Sequence, residues 1–257
     1  MEELTGAALD FGGSNVYSGV STSRTLMLGE LSMLLAAMPQ DASKNDYRAA
    51  IGEDNLLLKP SASTRAKTYS YLRDRFALDP EVPIFNVLRL LWERDEAGRP
   101  LLALLIAAFR DPVLRATVPA MIAREPDQAF PSREFAKIIS EAFPGKLKEK
   151  TLKSTGENTT STYKQSGHLQ VRSLCVRQRV AATPGSTTIA LLLATLAGSG
   201  GKALLESDWV RLLDSPGELL LSEARVAASR GWLEYRHAGD VLEITFHQLM
   251  SAIGVAE

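Results

Sequence analysis

Gly231-Trp232-Leu233-Glu234-Tyr235-Arg236 runs into His237-Ala238-Gly239-Asp240 and returns through Val241-Leu242-Glu243-Ile244-Thr245-Phe246. Two apolar-rich runs around a glycine-bearing turn predict a β-hairpin. Upstream, helical spacing is predicted over 186–197, 204–213 and 216–229, with the first helix stopped by Gly198-Ser199-Gly200-Gly201. Three helices followed by a hairpin is the order of a winged helix. The expected fold class is therefore mainly α with small β-hairpin wings.

The same order recurs less clearly over 132–180. A helix is predicted at 132–143, ended by Pro144-Gly145, then a short basic helix at 146–152. A segment rich in Ser, Thr and Asn follows at 154–165, and then β-like alternation over 169–180. Gly167-His168-Leu169-Gln170-Val171-Arg172 echoes Gly231-Trp232-Leu233-Glu234-Tyr235-Arg236 at a spacing of 64, with Gly, Leu and Arg shared. The hydroxyl-rich segment has poor intrinsic helix propensity, and such a surface suits contact with phosphates and base edges.

Further upstream, 83–124 reads as three apolar helices, with Leu101 to Phe109 apolar nearly all round and placed at the centre of a first domain. Before them, a short helix at 46–58, a tight turn at Lys59-Pro60-Ser61 and a helix at 63–77 give the order of a helix-turn-helix. Ala66, Tyr69, Leu72 and Phe76 are expected inward, and Ser63, Thr64, Arg65, Lys67, Thr68, Ser70, Tyr71 and Arg73 outward. Another helix is predicted around Met27 to Met38, closed by Pro39. Residues 1–20, rich in Gly, Ser and Asn, read as a flexible lead-in. The expected organisation is thus a lead-in at 1–20, a helical domain at 21–125, and winged-helix-like modules at 131–182 and 186–257.

Charge is unevenly spread. The whole chain of 257 residues has a formal net charge of −1, yet 61–75 carries +3 and 131–180 carries +6 between acidic stretches. A polyanion responds to such local strips, because salt screens the more distant acidic groups. With one cysteine, Cys175, no internal disulfide can form, which fits a reducing cytoplasm. No apolar run reaches the roughly 18 residues a membrane-spanning helix needs, and no secretory signal opens the chain.

Catalytic and metal motifs fail on spacing. Gly198 to Lys202 lacks the Gly six residues before the Lys and the Ser or Thr after it that a phosphate loop needs; Leu196 and Ala203 stand there. His168, His237 and His247 have no metal-ligand spacing with Cys175 or one another, and two adjoin predicted turns where exposure is the default. Neither catalysis, cofactor nor metal is expected. The C-terminal winged helix sets Glu218 and Glu223 against Arg225 and Arg230 on its presumed recognition helix, which favours a protein-contact or packing role there.

Tyr17 to Met38, with Leu28, Glu30 and Leu34, resembles the opening segment of the BrxA family, the small non-catalytic component of BREX bacteriophage-resistance systems. Asn55-Leu56-Leu57-Leu58, Ser63-Thr64-Arg65-Ala66-Lys67 and Leu72-Arg73-Asp74-Arg75-Phe76 resemble its next segment. The resemblance implies a DNA-binding accessory protein working beside a methyltransferase and large ATPases. It carries over Ser63, Thr64, Arg65, Lys67 and Arg73 by position.

The expected function is binding of double-stranded DNA, mostly through its backbone. The candidates are Arg65, Lys67 and Arg73 on one helix, Asn158, Thr159, Thr162, Lys164 and Gln165 on another, and Arg172, Arg177 and Arg179 along a neighbouring strand. The alternative is a scaffold that docks partner defence enzymes without significant DNA affinity. RNA binding is disfavoured because only Tyr71 and Tyr163 accompany the basic residues as stacking platforms.

Overall fold

The structure is a computed structural model and describes residues 3–239 and 241–255. Met1 and Glu2 of the expected lead-in, Asp240 of the expected turn, and residues 256–257 of the last module lie outside the described residues. The described chain is mainly helical, with two small antiparallel hairpins.

The first half runs through α1 (Ala7–Asp10), α2 (Val20–Ser23), α3 (Leu28–Ala37), α4 (Lys44–Gly52), α5 (Ala62–Phe76), α6 (Pro83–Arg94), α7 (Arg99–Arg110), α8 (Pro112–Arg115) and α9 (Val118–Ala123). Next come α10 (Ser132–Ala142), α11 (Glu149–Gln165), β1 (Leu169–Val171) and β2 (Cys175–Arg177). The remainder is α12 (Pro184–Leu196), α13 (Ala203–Glu206), α14 (Asp208–Arg211), α15 (Gly217–Ser229), β3 (Glu234–Ala238), β4 (Val241–Thr245) and α16 (His247–Ala252). The 231–246 hairpin forms as expected, pairing Glu234 with Thr245 and Ala238 with Val241. The helix expected over 204–213 is two short pieces, α13 and α14.

One core runs from Leu4 to Leu249. It is continuous across 126–131 and 183–185, so the expected division at those points is not a division of the core. Its axis is α7 packed on α12. Every residue from Leu101 to Phe109 is buried, and so is every residue from Gly185 to Ala194. Neither stretch holds a charged side chain, so each can shed water along its whole circumference.

Asp95 fixes where α12 begins. This buried carboxylate accepts from the Thr183 hydroxyl and, at 2.8 Å, from the Gly185 N–H at the start of α12. It also accepts from the N–H of Gly98, just before α7. A side chain at Gly98 or Gly185 would collide with it, which explains both glycines. Thr183 and Ser186 complete a capping box.

The lead-in expected to be flexible is packed instead. Leu4, Ala8, Phe11 and Val20 are buried. The cause lies in three arginines from later in the chain. Arg110 donates to the Gly12 carbonyl, Arg115 to the Ser14 carbonyl and to Asn15 Oδ1, and Arg75 to the Thr25 carbonyl and Ser21 Oγ. A segment short of side chains offers carbonyls, and a guanidinium with five donors can gather several at once. Arg75 is fully buried and lies 3.4 Å from Asp111, itself buried; burial lowers the Arg75 pKa and Asp111 works against that.

Replacing Asp95 with Ala leaves the Thr183, Gly185 and Gly98 donors without this acceptor. The expected cost is about 1–3 kcal/mol. Equilibrium urea denaturation checks it, and Asp41→Ala at an exposed position should stay within about 0.5 kcal/mol of wild type.

Candidate nucleic-acid interface

The helix-turn-helix order is present in α4 and α5, but residues 53–61 join them in place of a tight turn. Helix α5 keeps Leu72 and Phe76 inward and Tyr69 half-buried against the core, as expected, but its inward face is wider than expected on one side. Thr68, Leu72, Arg75 and Phe76 are buried, whereas Ala66 is exposed. The buried Arg75–Asp111 pair widens that face beyond the apolar spacing. Ser63 and Lys67 are exposed, and Thr64 and Arg65 half-buried. Thr64 is engaged with the capping residue Ser61. The Arg73 guanidinium pairs with Asp74 at 2.7 Å and so is partly neutralised. Arg65 and Lys67 therefore remain as the positive contribution of α5. With Lys44, Arg48 and Arg73, α4 and α5 line an open groove of about 590 Å³ that also contains Glu53.

The hydroxyl-rich segment reverses its expected role. It is part of one continuous helix, α11, that absorbs the short basic helix expected before it. Thr155, Thr159, Thr160 and Thr162 are buried. The hydroxyls of Thr155, Thr160 and Thr162 donate to carbonyls four residues earlier, at Thr151, Gly156 and Asn158. A threonine satisfied in this way can be buried. Asn158 donates to the Ser21 carbonyl at 3.2 Å. Gln165 accepts from the Leu28 N–H and donates to Thr25 Oγ1. These side chains satisfy the segment around α2, not a nucleic acid. Gly156 lies against the Ser132 carbonyl of α10, an approach no side chain would permit.

Arg177 is likewise interior. It is 1% exposed, donates to the Met121 carbonyl and pairs with Asp214 at 2.5 Å. The expected contacts at Asn158, Thr159, Thr162, Gln165 and Arg177 are thus corrected: all five are engaged or enclosed within the protein. Of the expected second set, Lys164, Arg172 and Arg179 are exposed; Arg172 pairs with Asp127, itself exposed, at 2.9 Å.

What α11 does present to solvent is a stripe of which only Lys164 was among the expected contacts. Lys150, Lys153, Ser154, Glu157 and Lys164 are exposed and Ser161 half-exposed, at spacings of three and four. On α10, which lies alongside, Arg133 and Lys137 are exposed, and Lys146 and Lys148 are exposed between the two helices. Arg133, Lys137 and Lys153 border a cleft of about 440 Å³ between α10 and α11. The stripe ends at β1 and β2, which form a wing. Helix, hairpin and basic stripe are adjacent, with two helices before the hairpin where three were expected. The signal that could have found the stripe was the lysine spacing at 150, 153 and 164.

His168, expected to be exposed, is fully buried at the foot of this wing. Its Nδ1 lies 2.9 Å from Ser166 Oγ and its Nε2 lies 2.8 Å from the Leu212 carbonyl. The carbonyl can only accept, so Nε2 carries the proton, and Nδ1 faces the Ser166 hydroxyl, whose single proton is shared between it and the Tyr163 carbonyl at 3.1 Å. Burial, with help from the Arg177 charge, holds the pKa down at about 4.

No protein-family model matches this chain, and no curated protein matches it. Among the described residues, no group of three or more His, Cys, Asp or Glu side chains could hold a metal, and no helix is long and apolar enough to cross a membrane.

The depressed His168 pKa couples stability to pH. The unfolded chain takes up this proton near the ordinary 6.5, the folded chain only near 4, so stability falls as pH drops through that window. At pH 5 the loss relative to neutral pH is about 2 kcal/mol. Urea denaturation at pH 7 and pH 5 should show it, and His168→Gln should remove most of the difference while lowering stability at both.

Proposed function

We propose that this chain is a non-catalytic accessory protein that binds duplex DNA mainly through backbone phosphates. The observation that carries this reading is the outward stripe of α11 at Lys150, Lys153, Ser161 and Lys164, interrupted by Glu157. Exposed Arg172 and Arg179 on the adjoining wing extend it. Lysine is a mobile point charge, suited to phosphates at any sequence, and hydroxyls donate to the same oxygens. Arg65 and Lys67 of α5 supply a second contact. The resemblance of residues 17–76 to the BrxA family supports a place in phage defence, beside a methyltransferase and ATPases in the cytoplasm.

A second reading has its own observation. On α15, Leu219 and Val226 are exposed one above the other, and Val241 is exposed at the start of β4. Apolar residues on the recognition helix and wing of the second winged helix favour a protein-contact role for that module. The two readings are compatible, the α11 helix and its hairpin holding DNA and the C-terminal module a partner enzyme.

Fluorescence anisotropy with a labelled duplex tests the DNA reading. With four to eight phosphate contacts, log K should fall by about 0.9 per contact for each unit of log salt. Reversing Lys150, Lys153 and Lys164 to Glu should weaken binding at least about tenfold and flatten the salt slope by about 3. Reversing Arg65 and Lys67 should do less. No binding by the wild type at about 50 mM salt overturns the DNA reading.

A further inference from the structure

We propose that the tip of the first wing is an apolar wedge that enters the minor groove of duplex DNA and bends it, with Val171 and Leu174 as the inserted side chains. This inference rests on the DNA reading and goes beyond phosphate contact.

The last paired residues of the wing are Val171 and Cys175, so Arg172, Ser173 and Leu174 form the turn. Val171 is 62% exposed and Leu174 63% exposed. Hydrophobic burial alone would disfavour two large apolar side chains at the end of a projecting turn. Leu169, two residues earlier, is buried and already anchors the strand to the core. Val171 and Leu174 are therefore not needed to hold the wing down.

The support beneath the tip is stiff. Strand β2 is paired on both sides, with β1 on one and the segment 127–130 on the other. Asp127 N–H donates to the Arg177 carbonyl, Arg177 N–H to the Gln128 carbonyl, and Phe130 N–H to the Cys175 carbonyl. The buried Arg177 ties the same strand to Met121 and Asp214. The strand beneath the turn is therefore held on both edges before any partner arrives, which lowers the ordering cost of docking the tip.

Charge around the tip decides the partner. Lys164 is close enough to lower the Cys175 thiol pKa against the upward push of burial, Arg172 lies within the turn and shares its charge with the exposed Asp127 at 2.9 Å, and Arg179 is exposed past the foot of the wing, beyond the Leu169–Arg177 pair. An apolar point beside the lysine stripe of α11 matches a surface that is anionic outside and apolar within. The minor groove of duplex DNA has that character, since phosphates line it and stacked bases floor it. Side chains such as Leu and Ile enter between base steps and kink the duplex. An anionic membrane shares the outline, but two side chains form a small anchor there, whereas the α11 stripe leads from this wing along a length fit for a phosphate backbone.

The test uses the full chain and a duplex of about 30 base pairs carrying a fluorophore pair at its ends, a length over which a kink is readable. Anisotropy and energy transfer are followed in the same titration. Wild type is expected to bind and to bring the ends closer. Val171→Ser with Leu174→Ser should bind within about tenfold of wild type with an unchanged salt slope, yet leave the duplex straight. Both positions are exposed, so the variant should melt as wild type does. Bending by the variant equal to that of wild type overturns the wedge and leaves the DNA reading intact. So does wild-type binding without bending. No binding by wild type overturns both. Sedimentation with phosphatidylserine vesicles that is lost in the variant, in the absence of bending, assigns the tip to a membrane and overturns the proposal.

Discussion

The contact between α7 and α12 is the constraint from which the rest of the arrangement follows. Each helix has a long middle without charge, and neither could remain in water on any face. Burying a single leucine side chain contributes about 1.5–3 kcal/mol, and these two helices bury seven leucines between Leu101 and Leu193. Bringing them together joins two parts of the chain that the expected module boundaries, after 125 and after 182, set apart. It also makes the start of α12 a buried helix terminus, whose N–H groups need acceptors. Asp95 and the Thr183–Ser186 capping box meet that need, and the two glycines follow from the space the carboxylate occupies.

With the centre filled by α7 and α12, the polar helix α11 is left at the side, between α10 and the N-terminal segment. Its threonines are small enough to let α10 and α2 approach, and the hydroxyls of Thr155, Thr160 and Thr162 are satisfied within the helix. Its Asn158 and Gln165 supply partners to a stretch of backbone that has little regular structure of its own. One face of α11 is thus a polar interior surface, and only the opposite face is free for a partner outside the molecule.

Legibility followed from whether the deciding partner was near in sequence. The wing at 231–246, the apolar run at 101–109 and the helix end at Pro39 depend on local periodicity and turn chemistry, and they were readable. The inward orientation of Arg75, Asn158 and Arg177 was not. Their partners lie 36 residues or more away, at Asp111, Ser21 and Asp214. Read alone, a hydroxyl-rich helix or an arginine beside Leu72 and Phe76 looks turned toward water. The helix order of α4 and α5 was readable, but the burial of Thr68 and Arg75 was not, since Arg75 is drawn in by Asp111, which no pattern within 46–77 discloses. Within the candidate site, Lys164, Arg172 and Arg179 were legible because nothing in the protein claims them inwardly.

The cations divide by chemistry in a way that sharpens the functional argument. Arg75, Arg89, Arg115 and Arg177 are buried, and each spreads its donors over several acceptors within the protein, mostly backbone carbonyls. Every lysine is exposed except Lys59, which is half-buried against Glu30. A guanidinium can satisfy several carbonyls in fixed directions and survives burial, whereas an ammonium is strongly hydrated and costly to bury. The positive charge counted along 131–180 is therefore an overestimate at Arg177, but it is nearly undiminished among the lysines. A basic surface made chiefly of lysines favours contact with any phosphate backbone over readout of base edges, for which paired arginine donors serve better. Sequence discrimination by such a surface would then have to come from how readily the duplex deforms, and that places the burden on the wing.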